Sequence, residues 1–267
     1  MLEYIIDHHV HTQFSPDSEA KMGGLIDRAK TLGLKGVMFT DHVDFDSPEI
    51  PFREITDYHK YGEIIAELQE KNKDIEILTG VEIGYQSHLP ERLRSFLASY
   101  PFDFVICSLH SYDGLDFYSG DFFIGKEQHE AYDEYFQIVK KSVENYHDFD
   151  VYGHLDHIYR CGNYPKKVLH YADYKEVIDE ILKILIQNGK GIELNTSGLR
   201  RGLAMFPGID ILRRYKNLGG EIITIGSDAH RNQDLHANFQ DAVDLLRDLG
   251  FKAIAQFRQR RPVFLDI

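Results

Sequence analysis

Short apolar runs alternate with longer amphipathic stretches along the whole chain. Strand-like runs fall at residues 4–9, 36–42, 75–83, 102–110, 151–156, 191–195 and 221–227. Between them apolar positions recur with the 3.6-residue period of a helix, at 24–32, 55–70, 89–100, 126–146, 174–188, 208–217 and 234–249. Gly33, Gly189 and Gly250 follow three of these stretches, as expected of the residue that tolerates a left-handed helix terminus. Such alternation predicts right-handed βαβ units around a parallel sheet, and seven repeats favour a barrel over an open sheet. No linker, low-complexity stretch or charge block interrupts the pattern, so residues 1–267 are expected to form one domain. The final segment, 251–267, carries two apolar runs around Arg258, Arg260 and Arg261. It is expected to be a closing strand or a return across the barrel mouth or base, with the arginines in a solvated turn.

Composition narrows the function without choosing it. With 43% hydrophobic and 27% charged residues, the chain reads as an ordinary globular protein. No apolar run approaches the roughly 18–20 residues of a membrane span, and the start, MLEYIIDHHVHT, lacks the pattern of a secretory signal. The only two cysteines, Cys107 and Cys161, form no CxxC pair and no disulfide framework, which suits a reducing cytoplasm. A net charge of −13 argues against a nucleic-acid or anionic-membrane partner, whose affinity rests on Lys and Arg. A small anionic substrate stays possible if something local and positive receives it.

The polar residues cluster where a parallel barrel keeps its chemistry, at the carboxyl ends of the strands. Those ends read Asp7-His8-His9-Val10-His11, Thr40-Asp41-His42, Gly80-Val81-Glu82, Ser108-Leu109-His110, Gly153-His154-Leu155-Asp156, Glu193-Leu194-Asn195 and Ser227-Asp228-Ala229-His230. With 14 histidines in the chain, a single H-x-H pair such as His9/His11 carries little weight. The combination carries more: His9, His11, His42, His110, His154 and His230 join Glu82 and Asp228 on one face. Residues two apart on a strand share a face, so His9/His11 and Asp228/His230 can each direct two groups into the mouth. Imidazole with carboxylate suits transition metals better than calcium, and eight ligand types exceed the needs of one tetrahedral ion. Two or three divalent ions, Zn, Mn or Fe, are expected. His59, His129, His147 and His236, on helical stretches, are expected to be structural.

These motifs (DHHVHT, FTDH, GVEIGY, CSLH, GHLDHIYR, IELNTSGLR and GSDAH, in that order over nearly the whole chain) resemble the PHP (polymerase and histidinol phosphatase) metallohydrolases, and within them the monofunctional histidinol-phosphate phosphatases. The resemblance implies a distorted (β/α)7 TIM-like barrel with a trinuclear site at the strand ends. One ion would take His9, His11, Glu82 and Asp228; a second would share Glu82 and add His110 and His154. The third would use His42, His230 and a residue of the loop after the first strand. Many relatives have histidine in that loop; here it reads Phe14-Ser15-Pro16-Asp17-Ser18, so Asp17 is the expected substitute.

The implied reaction converts L-histidinol phosphate and water to L-histidinol and phosphate, in histidine biosynthesis, by a metal-bridged hydroxide. Asp17 and His42, with the third ion, and an arginine would hold the phosphoryl oxygens. Arg160 is the first candidate for that arginine; Arg200 is the second, with adjacent Arg201 equally able to face inward. Asp156 and His157 are candidate proton donors to the leaving alkoxide, unless Asp156 only orients a ligand histidine. Glu193 and Asn195 either bind the amine or imidazole of the substrate or make structural hydrogen bonds. Asp7 and Asp41 are expected to orient ligands, and Tyr112 and Tyr118 to wall the pocket. The alternatives are a PHP-family protein-tyrosine phosphatase, a nuclease-like phosphoesterase, an amidohydrolase-type C–N hydrolase and a metal-dependent binding module. The amidohydrolase reading is disfavoured because no lysine stands at the fourth strand end, Cys107-Ser108-Leu109-His110.

Overall fold

The computed structural model describes residues 1–48 and 57–267. In chain order the strands are β1 (Gly36–Phe39), β2 (His42–Val43), β3 (Glu76–Gly84), β4 (Phe104–Ser108), β5 (Ser111–Tyr112), β6 (Leu115–Asp116), β7 (Val151–Tyr152), β8 (Gly191–Asn195), β9 (Ile223–Gly226), β10 (Ala253–Arg258) and β11 (Arg261–Asp266). The helices are α1 (Met22–Thr31), α2 (Tyr58–Lys71), α3 (Pro90–Ala98), α4 (Gln128–Asn145), α5 (Lys175–Gln187), α6 (Ile209–Asn217) and α7 (Phe239–Asp248). All seven expected helices are present. The first residues expected of the second, 55 and 56, lie outside the described residues. The seventh starts five residues late, because 232–234 form a separate 3-10 turn.

Seven parallel strands run in the order β1-β3-β4-β7-β8-β9, with β2 also on β3, and the sheet curls into a half-barrel of the distorted TIM-like type. The register sets His42 of β2 directly beside Glu82 of β3. Each helix turns an apolar stripe onto the outer face of this sheet, where Val37, Phe39, Val81, Val105, Ile192 and Ile225 meet the helical core. A smaller cluster (Ile6, Met38, Leu78, Phe104, Ile106, Val151, Ala255 and Phe257) fills the base of the barrel. Strand residues two apart share a face, so the inward series beginning at apolar Leu78 and Phe104 continues to Glu82 and Ser108.

Two expectations are corrected. The strand expected over 4–9 is absent from the sheet: Leu2–Tyr4 is a 3-10 turn, and the segment after it keeps a single β-bridge, Val10 to Ala229. It still closes the barrel. The His8 amide donates to Ile225 O at 3.1 Å on one side, while Val10 O accepts from Thr40 N at 2.8 Å on the other. Two more backbone bonds, His11 N to Ala229 O at 2.9 Å and Ala229 N to His9 O at 3.3 Å, extend the ladder, and side chains supply the remainder. Asp7 accepts from the Ser227, His236 and His9 amides at 2.8, 2.8 and 3.3 Å, and Asp41 accepts from Thr12 N at 2.6 Å. Carboxylates that capture backbone N–H groups in this way break a regular strand.

The tail returns across the base of the barrel, one of the arrangements expected of it, and the second correction concerns its arginines. It forms an antiparallel hairpin, β10 with β11, that plugs the base of the barrel. Gln259 and Arg260, at φ 51° and 63°, make its turn, held by Asp103 through Gln259 N to Oδ1 at 3.0 Å and Arg260 N to O at 2.9 Å. Two of the three arginines are not merely solvated. Arg258 makes a two-pronged pair with Glu76, one prong at 2.6 Å, and Arg260 reaches Asp150 at 2.5 Å. The hairpin is tied to the metal-facing segment through Phe257 N to His8 Nε2 at 3.1 Å and Gln256 Nε2 to Tyr4 O at 3.0 Å. Among the described residues, no helix is long and apolar enough to cross a membrane.

Phe257 is buried with its ring centroid 4.9 Å from that of Phe104. Phe257→Ala is therefore expected to destabilise the fold by about 3–5 kcal/mol through the cavity it leaves. Arg261→Ala, on the exposed side of the same hairpin, should change stability by no more than about 0.5 kcal/mol. Urea denaturation of both variants checks the contrast.

Candidate metal centre

Glu82, on β3, is the hub. Its Oε1 lies 2.9 Å from His154 Nε2 and 3.2 Å from His110 Nε2, and it accepts the Ser108 hydroxyl at 2.6 Å. Its Oε2 lies 3.0 Å from His42 Nδ1, 3.2 Å from His9 Nε2 and 3.5 Å from His11 Nε2. Asp228 Oδ1 is 3.4 Å from His11 Nε2 and 3.5 Å from His230 Nδ1. Four sets of ligand atoms are close enough to hold an ion: His9–His11–Asp228, His9–Glu82–His154, His42–Glu82–His110 and His11–His42–His230. His110 thus groups with His42, and His154 with His9, where the resemblance had grouped His110 with His154. His9 Nε2, His11 Nε2, His42 Nδ1 and Glu82 Oε2 are buried and have no hydrogen-bond partner. Buried lone pairs left open in this way are costly unless something electropositive meets them, so the donor set fits transition-metal ions.

The histidines are aimed by what their other nitrogens touch. His11 Nδ1 is 3.0 Å from Ser15 Oγ, which in turn donates to Asp41 at 2.6 Å. His110 Nδ1 is 2.8 Å from Asp44 Oδ1, and Asp44 Oδ2 is 3.3 Å from His42 Nδ1. Asp44 escaped the sequence reading, although it stands two residues after His42, the same spacing that singled out His9 and His11. Ser15 and Ser108 left no comparable signal. Asp7 and Asp41 touch no ligand ring directly: both accept from backbone amides, Asp7 also from the Ser227 hydroxyl, and Asp41 from those of Thr12 and Ser15, reaching the His11 ring through Ser15. Asp17 lies on the exposed rim, with Oδ2 3.0 Å from His230 Nε2 and Oδ1 3.7 Å from His42 Nε2. Its loop is pinned by the Ser18 hydroxyl, which donates to His230 O at 3.0 Å. His154 and Asp228 adopt positive φ values of 22° and 55°, a backbone conformation unfavourable for non-glycine residues and concentrated at functional sites.

The cleft over this cluster has a volume of about 1820 Å³, and Arg160, Arg200, Arg201 and Tyr118 are among its walls. The Arg160 guanidinium lies 4.8 Å from the Tyr118 ring centroid and 3.9 Å from Asp228 Oδ2, and its buried Nε has no partner. Arg200 donates through Nη2 to Ser227 O and Asp228 O at 2.7 and 3.0 Å, so it braces the strand that carries Asp228. Tyr112 packs partly buried against the core. His236 stacks on Phe239 at 3.7 Å, a structural role as expected.

Four residues expected to bind substrate or to donate a proton do not line the cleft. Glu193 and Asn195 are buried; Glu193 Oε1 is 2.6 Å from His9 Nδ1, and Asn195 Nδ2 donates to Glu193 Oε2 at 3.1 Å. Neither is free to read a substrate. Asp156 is also buried and accepts from Gly208 N at 2.8 Å, not from a ligand histidine; burial lifts its carboxyl to about 7, a rise that the Gly208 bond only partly opposes. His157 is buried 4.5 Å from the His154 ring, and burial together with His154 and His110 holds it well below its usual value. Enclosed in this way, neither presents its side chain to the cleft.

A family model described as PHP domain matches residues 7–197. The chain belongs to the PHP domain family. Its curated PHP relatives include the histidinol-phosphatase of Lactococcus lactis subsp. lactis, 33% identical over 94% of both chains. A probable histidinol-phosphatase of Clostridium acetobutylicum is 31% identical, over 94% of this chain and 96% of its own. Among solved structures, a histidinol phosphate phosphatase from Lactococcus lactis, complexed with Zn, L-histidinol and phosphate, superposes with a TM-score of 0.91. It is 32% identical and covers 97% of this chain and 98% of its own.

Protonation of the PHP cluster competes with metal. Burial alone would lower His9, but Glu193, Glu82 and Asp228 outweigh it and hold the imidazole well above its usual value. His110 reaches about 10 against the same burial penalty because Asp44 and Glu82 face it. His11 is instead pushed to about 3 by burial and by its neighbours His230 and His42, so its lone pair stands open. A raised value keeps the proton in place to higher pH, so an incoming ion must displace it. Apparent zinc affinity is expected to keep rising with pH up to about 10, where His110 gives up its proton unaided, with at least one proton released per ion bound. Chelator competition at several pH values, with proton release read in weak buffer, checks this; flat affinity without proton release is the contrary result.

Proposed function

We propose that this chain is a metal-dependent phosphomonoesterase that hydrolyses L-histidinol phosphate to L-histidinol and phosphate. The observation that carries this reading is the relative matching nearly the whole chain at 32% identity, whose structure holds Zn, L-histidinol and phosphate together. The cleft of this chain, with its converging unpartnered donors, supports the same chemistry. We read residues 1–267 as one domain, since the C-terminal hairpin is bonded to the N-terminal segment. A reducing cytoplasm suits its two buried, unpaired cysteines.

The ions in this reading are two or three, Zn, Mn or Fe. His9, His11, Glu82 and Asp228 would hold one; His110 and His154, which group with His42 and His9 but both face Glu82 Oε1, would hold another with it; and His42, His230 and Asp17 the third. When bound, such ions supply Lewis acidity and bring the pKa of water towards neutrality. Arg160 supplies the fixed positive charge that an acidic chain needs around a phosphoryl group. Tyr118 and Asp228 hold its guanidinium against the cleft wall, where it can donate to a non-bridging oxygen. Turnover of L-histidinol phosphate, phosphotyrosine peptide and single-stranded DNA by enzyme reconstituted with Zn, Mn or Fe tests the proposal. Preference for either macromolecular substrate would overturn it.

Three variants test the residue roles. Glu82→Ala should nearly abolish activity and lower metal content, because one carboxylate serves both halves of the cluster; near-normal turnover at full occupancy would sink that role. Arg160→Ala should lower kcat/KM by about 10²–10³ with metal content intact. Unchanged inhibition by inorganic phosphate would remove Arg160 from the phosphate site. Asp17→Ala should lose one ion while retaining the others and a residual activity. If Asp17 only stabilises its loop, elemental analysis will be unchanged and a thermal melt will report a loss of about 1 kcal/mol.

A further inference from the structure

We infer that Glu193 is a positioning residue for the metal centre: one buried carboxylate fixes the tautomer of His9 and the backbone of His154, coupling two ligand sets. This rests on the proposed metal binding and goes beyond it. Glu193 Oε1 is 2.6 Å from His9 Nδ1, and Oε2 accepts from the His154 amide at 2.9 Å and from Asn195 Nδ2 at 3.1 Å. With the proton on Nδ1 donated to Glu193, His9 Nε2 keeps its lone pair, and that atom is the one left without a partner beside Glu82. The His154 amide bond holds a residue whose backbone has entered the positive-φ region, at 22°. His9 belongs to the sets His9–His11–Asp228 and His9–Glu82–His154, so the carboxylate reaches both. Asn195 is itself fixed, its Oδ1 accepting from Ser197 N at 2.9 Å.

The space for this carboxylate is made by Gly226. A Cβ there would stand 2.2 Å from Glu193 Oε1 and 2.5 Å from His9 Cβ, so a side chain on β9 would dislodge the pair. Carboxylates that accept from the non-ligating nitrogen of a metal-binding histidine raise affinity about 10–100-fold.

Glu193→Gln keeps the shape but leaves one acceptor for three donors. An amide NH2 facing His9 favours the tautomer with the proton on Nε2, which blocks the ligand atom. The zinc-loaded wild type should show His9 protonated on Nδ1 by ¹⁵N NMR. Zinc affinity of the variant, by chelator competition, should fall about 10–100-fold with circular dichroism unchanged. Wild-type affinity in a folded Glu193→Gln overturns the inference. So does an Nε2 proton on His9 in the zinc-loaded wild type, a result that needs no variant to fold. A wild type that retains no zinc removes the metal reading and this inference with it, whereas a zinc-loaded wild type with an unaltered variant removes this inference alone.

Discussion

A single carboxylate buried among five imidazoles governs this molecule. Glu82 is fully enclosed, and His9, His11, His42, His110 and His154 all approach within 3.5 Å of its two oxygens. Burial would push that carboxyl up, yet His9, His110 and His42 hold it well below its usual value. An ionised group so placed is tolerable only if every neighbour compensates it. The chain answers by bringing strand ends from all around the barrel to one point. The mouth of the barrel is therefore as specified as its core, by electrostatics rather than by packing.

That requirement explains the irregular seam. A regular strand through residues 5–11 would spend its amides on the two neighbouring strands. Here the His8 and His11 amides reach Ile225 O and Ala229 O, but Asp7 takes the His9 amide and Asp41 the next one, of Thr12, and the backbone turns His9 and His11 towards Glu82. The positive φ values of His154 and Asp228 reflect the same demand, since a side chain aimed inward past the end of a strand needs a departure from extended geometry. The apolar base closed by Phe257 supplies the stability against which these local departures are held.

Charge is organised by distance from this point. The chain as a whole is acidic, at −13, which repels extended polyanions. Arg160 and Arg200 stand at the cleft, one against Tyr118 and Asp228, the other tied to carbonyls of the strand end. Guanidinium groups confined to the cleft of an otherwise acidic chain suit a small phosphate ester better than a polymer.

Much of this was legible in the sequence, because its periodicities are local. Period 3.6 located the helices and short apolar runs six of the seven strand-like segments, and the strand ends named His9, His11, His42, Glu82, His110, His154, Asp228 and His230. Those residues meet because parallel strands must all end on one side of their sheet, which is a property of the chain pattern itself. What the sequence left open depended on contacts between distant segments. Glu193 and Asn195 stand at a strand end like the ligands, yet 184 residues separate Glu193 from the His9 ring that occupies it. Arg258 and Arg260 look like a solvated turn until Glu76 and Asp150 come into reach. Asp156 and His157 carry proton-donor chemistry in their side chains, but burial encloses both. Residue type and spacing decide what a group can do; only the packed structure decides which partner reaches it first.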